Sequence, residues 1–352
     1  MTGPRDGREL GPPLDAHKFD EAALAAYLKD HIPGFDGNCT VQQFLGGQSN
    51  PTFLIEASSG SYVMRKKPPG ELLPSAHAVD REFKVISALA NTRVPVAKTH
   101  VLCEDDSVIG QMFYVMDYVS GRVLTERGFP GLDPQDRTAM YHSMADIFGA
   151  FHAVDYKAVG LEKFGRPSGY VARQVARWSK QYEASKVEDW EPMDKLIAWL
   201  PENDPDDDQA SIVHGDYRPG NLIFANDASD VVAVLDWELA TIGHPLADLG
   251  YFMMPYRIDS EQSNYGMKGM DLDGLGIPPE EAVLETYAKA AGRSNVPNID
   301  FYIVFSMWRL AAIQAGVLRR GLDGNAADPR AIERGRPYKE MSQMAWNIAE
   351  RL

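Results

Sequence analysis

Over the first third of the chain, apolar and polar residues alternate in short runs; beyond it, apolar residues recur every three to four positions, the spacing of one helix face. A β-rich part is therefore followed by a helix-rich part. Leu24, Tyr27 and Leu28 give a helix over 19–30, closed by Pro33 and Gly34. Runs at 40–45, 52–57 and 61–66 predict three strands, separated by the loop Gly46-Gly47-Gln48-Ser49-Asn50 and by Ser58-Ser59-Gly60. Val79, Phe83, Ile86 and Leu89 form a helical stripe over 76–90, with Glu82 beside it, and this helix must end before Pro95. Strands at 99–103 and 111–118 complete a five-stranded antiparallel sheet with one inserted helix.

After Gly121 the pattern turns helical, over 137–154, 168–180, 192–200, 279–291 and 299–320. A brief apolar run at 212–213 and a hairpin of 222–224 with 231–235 interrupt it. The expected fold class is α+β, with a small sheet-bearing N-terminal lobe and a larger, mostly helical C-terminal lobe. The expected boundaries are a mobile tail over 1–18, the first lobe over 19–120 and the second over 121–352.

Composition narrows the classes of function. The chain has 352 residues, 44% hydrophobic and 24% charged, as in an ordinary globular protein with room for two unequal lobes. Its formal charge of -15 argues against nucleic acid or an anionic membrane as partner, while leaving room for a local basic patch around one nucleotide. Cys39 and Cys103 are the only cysteines, so neither a zinc site nor a disulfide framework is expected, and a reducing cytoplasm fits. Residues 1–18 lack the apolar core of a signal peptide, and no stretch approaches the roughly 18 uninterrupted apolar residues of a membrane span. The acidic run at 202–209 contains Pro205 and lacks EF-hand spacing, so it reads as a solvated connection.

The hairpin carries the chemistry. Asn221 precedes its outgoing strand and Asp236 follows its returning one, so antiparallel pairing brings both to the same end. Asp216 lies in the loop leading into that end. An acid and an amide can hold Mg2+, which takes one or two carboxylates and completes its shell with phosphate oxygens and water. Transfer to an alcohol also needs an acceptor for the hydroxyl proton, and Asp216 is the candidate.

His214-Gly215-Asp216, followed by four residues and Asn221, resembles the catalytic-loop spacing of protein kinases. Its Gly in second place resembles the aminoglycoside and choline phosphotransferases. Asp236-Trp237-Glu238 resembles the metal-binding motif of that family, and His244-Pro245-Leu246-Ala247-Asp248-Leu249 the structural segment after it. The resemblance implies a protein-kinase-like two-lobed fold and ATP with Mg2+ as cofactors. It implies Asp216 as base and Asn221 with Asp236 as metal ligands. It also implies a phosphate-covering loop containing Gly47, Gln48, Ser49 and Asn50, a phosphate-binding cation at Arg65 or Lys66 paired with Glu82, and a hinge whose backbone at Asp117 and Val119 meets adenine. Strand alternation lets only one of Arg65 and Lys66 face the nucleotide, and both stay open at this point.

The segments Arg65-Lys66-Lys67-Pro68-Pro69-Gly70, Phe305-Ser306-Met307-Trp308-Arg309-Leu310 and Arg319-Arg320-Gly321-Leu322-Asp323-Gly324-Asn325-Ala326 resemble the phosphotransferase region fused to some acyl-CoA dehydrogenases and its stand-alone bacterial relatives. That resemblance implies a small-molecule hydroxylated acceptor of the hydroxyacyl-CoA or hydroxy-acid class. The competing readings are a nucleotide-binding pseudokinase, an aminoglycoside-type antibiotic kinase and a protein kinase; the last lacks an Ala-Pro-Glu segment after Asp236. His214 reads as a brace for the loop, Asp248 as an anchor for loop amides, and His152, Trp237 and Trp308 as core.

Overall fold

The computed structural model describes residues 8–45, 50–70, 78–326 and 328–352. It contains two compact units, Met1–Glu126 with Pro219–Ala240, and Arg127–Arg218 with Thr241–Leu352.

In the first unit, β1 (Leu10–Gly11), α1 (Glu21–His31), β2 (Cys39–Phe44), β3 (Thr52–Ala57), β4 (Gly60–Lys66), α2 (Val79–Leu89), β5 (Thr99–Cys103) and β6 (Phe113–Asp117) follow in order. The strands form one antiparallel sheet in the order β1-β2-β3-β4-β6-β5. Alternation decides what each face buries. Phe53, Ile55, Tyr62, Met64, Phe113 and Val115 share a core with Leu24 and Leu28 of α1. The carboxylate of Asp20 caps α1 by accepting from the N–H groups of Ala22 and Ala23.

Two expectations change here. The sheet has six strands rather than five, because Leu10 and Gly11 pair with Phe44 and Gln43. The expected tail over 1–18 therefore belongs to the fold from Arg8 onward, and Arg8 Nη2 donates to the Tyr118 hydroxyl at 2.8 Å. The hairpin of Leu222–Phe224 and Val231–Val234 belongs to this unit, rather than to the helical part. Nonlocal hydrogen bonds explain that membership. Arg122 and Phe224 exchange both backbone hydrogen bonds, at 2.8 and 2.9 Å, and Val234 N–H donates to the Pro95 carbonyl at 2.9 Å. Gly121 permits the approach: its φ is +157°, and a Cβ there would lie 2.3 Å from the Phe224 oxygen.

The second unit is helical: α3 (Pro134–His152), α4 (Tyr170–Ser185), α5 (Glu191–Glu202), α6 (Pro245–Met253), α7 (Leu272–Leu275), α8 (Glu280–Ala290), α9 (Ile299–Leu322), α10 (Ala331–Gly335) and α11 (Tyr338–Ala349). Its core is organised by α9, against which α4, α6, α10 and α11 pack. Among the described residues α9 alone is long and apolar enough to cross a membrane, and 83% of its most apolar window is buried in the unit. A two-stranded ladder, Ser211–Val213 with Thr241–Gly243, holds the start of the His214 loop next to the start of α6.

His244 caps α6, its Nδ1 accepting from the Leu246 N–H at 3.2 Å while Tyr302 stacks on the ring at 4.8 Å. Burial pushes its pKa down from 6.5 to about 4. The unfolded chain then binds a proton that the folded chain refuses between those values, so stability is full above pH 6.5 and falls as the pH drops toward 4. The loss is on the order of 3 kcal/mol. Urea titrations of wild type and His244→Asn, which keeps a capping acceptor, should diverge in slope across this window. Parallel curves would refute the assignment.

Candidate functional site

In the first unit, β4 turns its two cations to opposite faces. Tyr62, Met64 and Lys66 occupy one face of the strand and Val63 and Arg65 the other. Lys66 is buried on the α1 side, where its Nζ donates to Gln111 Oε1 at 2.8 Å and lies 5.6 Å from the centre of the Phe19 ring. This corrects the expectation for Lys66: it points away from Glu82. Arg65 faces the opposite way, with Nη1 2.8 Å from Glu82 Oε2 and Nη2 3.6 Å from Asp236 Oδ1.

Glu82 is fully buried on α2 and receives two further hydrogen bonds, from Asn50 Nδ2 at 2.6 Å and from the Tyr114 hydroxyl at 3.0 Å. Burial pushes its carboxyl pKa up, and the Arg65 charge and these donors oppose the rise. Burial works against the Arg65 charge as well, but Glu82, Tyr114 and Asp236 outweigh it and raise the guanidinium pKa. Of the expected phosphate loop, Gly47, Gln48 and Ser49 lie outside the described residues. Asn50 is a structural neighbour of Glu82.

Asn221 and Asp236 meet at the open end of the hairpin as the spacing predicts. Leu222 pairs with Val234, and Leu235 N–H donates to the Asn221 carbonyl at 2.8 Å. Asp236, two residues past the strand, has φ +63°, a left-handed conformation in which aspartate is enriched over other non-glycine residues. Trp237 Nε1 fixes this turn by donating to the Val234 carbonyl at 3.0 Å. Asp236 Oδ1 is buried and has no hydrogen-bond donor. A buried carboxylate oxygen that accepts no hydrogen bond, on the residue after the one whose N–H donates to the Asn221 carbonyl, fits a hard divalent cation. One carboxylate and one amide are few ligands, and Mg2+ is an ion that completes its shell with phosphate oxygens and water.

At the expected hinge, Asp117 N–H donates to the Lys98 carbonyl at 2.8 Å, and its carboxylate lies 2.6 Å from His100 Nε2. The Val119 carbonyl accepts from Arg8 Nη2 at 3.3 Å.

In the second unit, the loop His214-Gly215-Asp216 is fixed from below by Asp248, on the first turn of α6. Its carboxylate accepts from the N–H groups of His214 at 2.6 Å and Gly215 at 2.9 Å. Burial favours protonation of Asp248, but the hydrogen bond and charge of His152 and the contacts of His214 hold its pKa below the usual carboxylate value. His152 is itself pushed down by burial. Gly215 has φ +86°, which explains the glycine between the histidine and the acid.

Asp216 is held on both sides. Tyr251, one turn beyond Asp248 on α6, brings its hydroxyl 2.5 Å from Oδ1, and Arg218 Nε lies 3.0 Å from Oδ2. Arg309 of α9 reaches the same place: Nη2 is 3.4 Å from the Gly215 carbonyl, and its guanidinium lies 5.6 Å from the centre of the Tyr251 ring. Burial, with the neighbouring Asp216, raises the Tyr251 pKa, while Arg218 and Arg127 oppose it. The sequence points to the region 251–273 for acceptor specificity, but not to a contact of Tyr251 with Asp216 or to Arg127. The one signal for Tyr251 was its three-residue spacing from Asp248, which places both on one face of α6.

The sheet unit bears an arginine–glutamate pair and the hairpin end with Asn221 and Asp236, the helical unit bears a pinned His-Gly-Asp loop, and these features are those of a phosphotransferase. A family model described as "phosphotransferase enzyme family" matches residues 40–297, and the chain belongs to that family. It is 45% identical to a candidate aminoglycoside phosphotransferase from Ralstonia eutropha, whose crystal structure superposes with a TM-score of 0.88 over 95% of this chain and 99% of that one. It is also 40% identical over 344 residues to mouse acyl-CoA dehydrogenase family member 11, and 41% identical over 329 residues to mouse family member 10. The alignments cover 96% and 93% of this chain, but only 44% and 31% of those relatives.

Proposed function

We propose that the protein transfers the γ-phosphoryl group of ATP to a hydroxyl of an acidic small molecule, of the hydroxyacyl-CoA or hydroxy-acid class. The carrying observation is the Asp216 carboxylate, held by Tyr251 and Arg218 on a loop that Asp248 fixes. In this reading the acceptor oxygen attacks the γ-phosphorus, the bond from that phosphorus to the β–γ bridging oxygen breaks, and the hydroxyl proton passes to Asp216. Arg65, held by Glu82, binds the α and β phosphates, and the backbone at Asp117 and Val119 meets the adenine. Asn221 and Asp236 would hold Mg2+, which neutralises charge on the phosphate oxygens when bound.

Two observations support an acidic acceptor. Arg218 and Arg309 lie beside Asp216 and Tyr251, an arrangement that suits a carboxylate or phosphate and repels a polycationic aminoglycoside. The named relatives also carry acyl-CoA dehydrogenase names over much longer chains, so an acyl-CoA acceptor would link the two activities.

The test is ADP release from Mg-ATP with 3-hydroxybutyryl-CoA, 3-hydroxybutyrate, choline, kanamycin or a serine peptide as acceptor. The hydroxyacyl compounds should give kcat/KM values at least tenfold above the others. A preference for kanamycin or choline would overturn the acceptor class, and no ADP release with any compound would overturn the activity.

A further inference from the structure

Tyr251 and Arg218 hold Asp216 in unequal ways. Tyr251 projects from α6, the same helix whose first turn carries the loop anchor Asp248, and its ring is backed by Arg309. Arg218 lies two residues along the loop from Asp216, and its side chain is 38% exposed. One contact is therefore built on a packed helix, and the other is local and open to solvent. A carboxylate that must accept a proton needs one oxygen fixed and the other free to exchange partners.

Resting on the reading of Asp216 as the base, we propose that Tyr251 is a positioning residue that fixes Oδ1, so that Oδ2 is the oxygen presented to the acceptor hydroxyl, with Arg218 the partner displaced. The role of Arg218 follows. Its guanidinium guards Oδ2 until an acceptor arrives and is then free to meet negative charge on that acceptor. Arg309 restrains the Tyr251 ring and the Gly215 carbonyl together, so phenol and carboxylate stay in register. Nothing in the motif His214-Gly215-Asp216 contains this information, because Tyr251 enters from another helix.

The experiment compares Tyr251→Phe, Arg218→Gln and Asp216→Asn with wild type. ADP release from Mg-ATP is measured with 3-hydroxybutyryl-CoA and with water alone as acceptor, beside the thermal shift produced by Mg-ATP. Tyr251→Phe should lose at least tenfold in kcat with KM for ATP within twofold of wild type, and should keep its melting temperature and its ATP-induced shift. A merely structural tyrosine would instead lower the melting temperature and leave kcat alone. Arg218→Gln should lose less in kcat than Tyr251→Phe and show its larger effect in KM for the acyl-CoA. Wild-type kcat in Tyr251→Phe alongside an inactive Asp216→Asn overturns the positioning role alone. An Arg218→Gln loss in kcat equal to or above that of Tyr251→Phe assigns the fixed contact to Arg218 and also overturns it. Full activity in Asp216→Asn overturns the base assignment and, with it, this proposal.

Discussion

Asp216→Asn should lower kcat by about 10^3-fold, within the range found when a positioned general base is removed, while the apparent affinity for ATP stays within threefold of wild type. The substitution preserves shape: the amide keeps one acceptor for Tyr251 and replaces the oxygen nearest Arg218 by a donor that cannot take a proton. Arg65, Glu82 and Asp236, which this reading gives to the nucleotide and its metal, keep their own ion pairs, which is why nucleotide affinity should persist. The loop should also persist, since its backbone is held by Asp248. Single-turnover measurement of ADP formation separates the chemical step from product release. A variant with a chemical step within fivefold of wild type would show that Asp216 takes no proton in the reaction.

How much of this arrangement was legible in the sequence depended on whether the deciding contacts were local. β3 and β5 were bounded to the residue because alternation and flanking turns are properties of a few adjacent positions. The convergence of Asn221 and Asp236 was legible for the same reason, as a consequence of hairpin pairing alone. The choice of Arg65 over Lys66 was not. Alternation says that the two face opposite ways, but only Glu82 and Tyr114, from α2 and β6, say which way is which. The first strand escaped notice because two residues carry no period, and Leu10 gains its identity from Phe44 across the ladder. The hydrogen bonds of the hairpin to Pro95 and Arg122 were not legible, because those partners lie more than a hundred residues away in sequence. α6 is buried over almost its whole surface, which removes the amphipathic contrast that marks a helix and hid the position of Tyr251.

The arginine–glutamate pair yields the largest expected effect on stability. Arg65→Ala removes the cation from a fully buried Glu82 and leaves that carboxylate near Asp236 with neutral donors only. Breaking a buried pair in this way costs about 3–5 kcal/mol, because the remaining charge has lost its compensation. The cost should depend on pH with a definite sign. Burial already raises the Glu82 pKa in the presence of Arg65, and without that cation it rises further, so the folded variant binds a proton more readily than its unfolded chain. Lowering the pH from 8 toward 5 neutralises Glu82 and relieves the penalty, and the gap between variant and wild type in urea denaturation should narrow. The same logic predicts rescue by a second substitution. Glu82→Gln in the Arg65→Ala background replaces the stranded charge by an amide of the same shape, so the double variant should be more stable at pH 8 than Arg65→Ala alone, by about 1–3 kcal/mol. It should remain unable to bind ATP tightly, since neither residue then supplies a cation for the phosphates. A double variant less stable than Arg65→Ala, or a gap that widens as the pH falls, would mean that the pair is not held by compensation of the buried Glu82 charge.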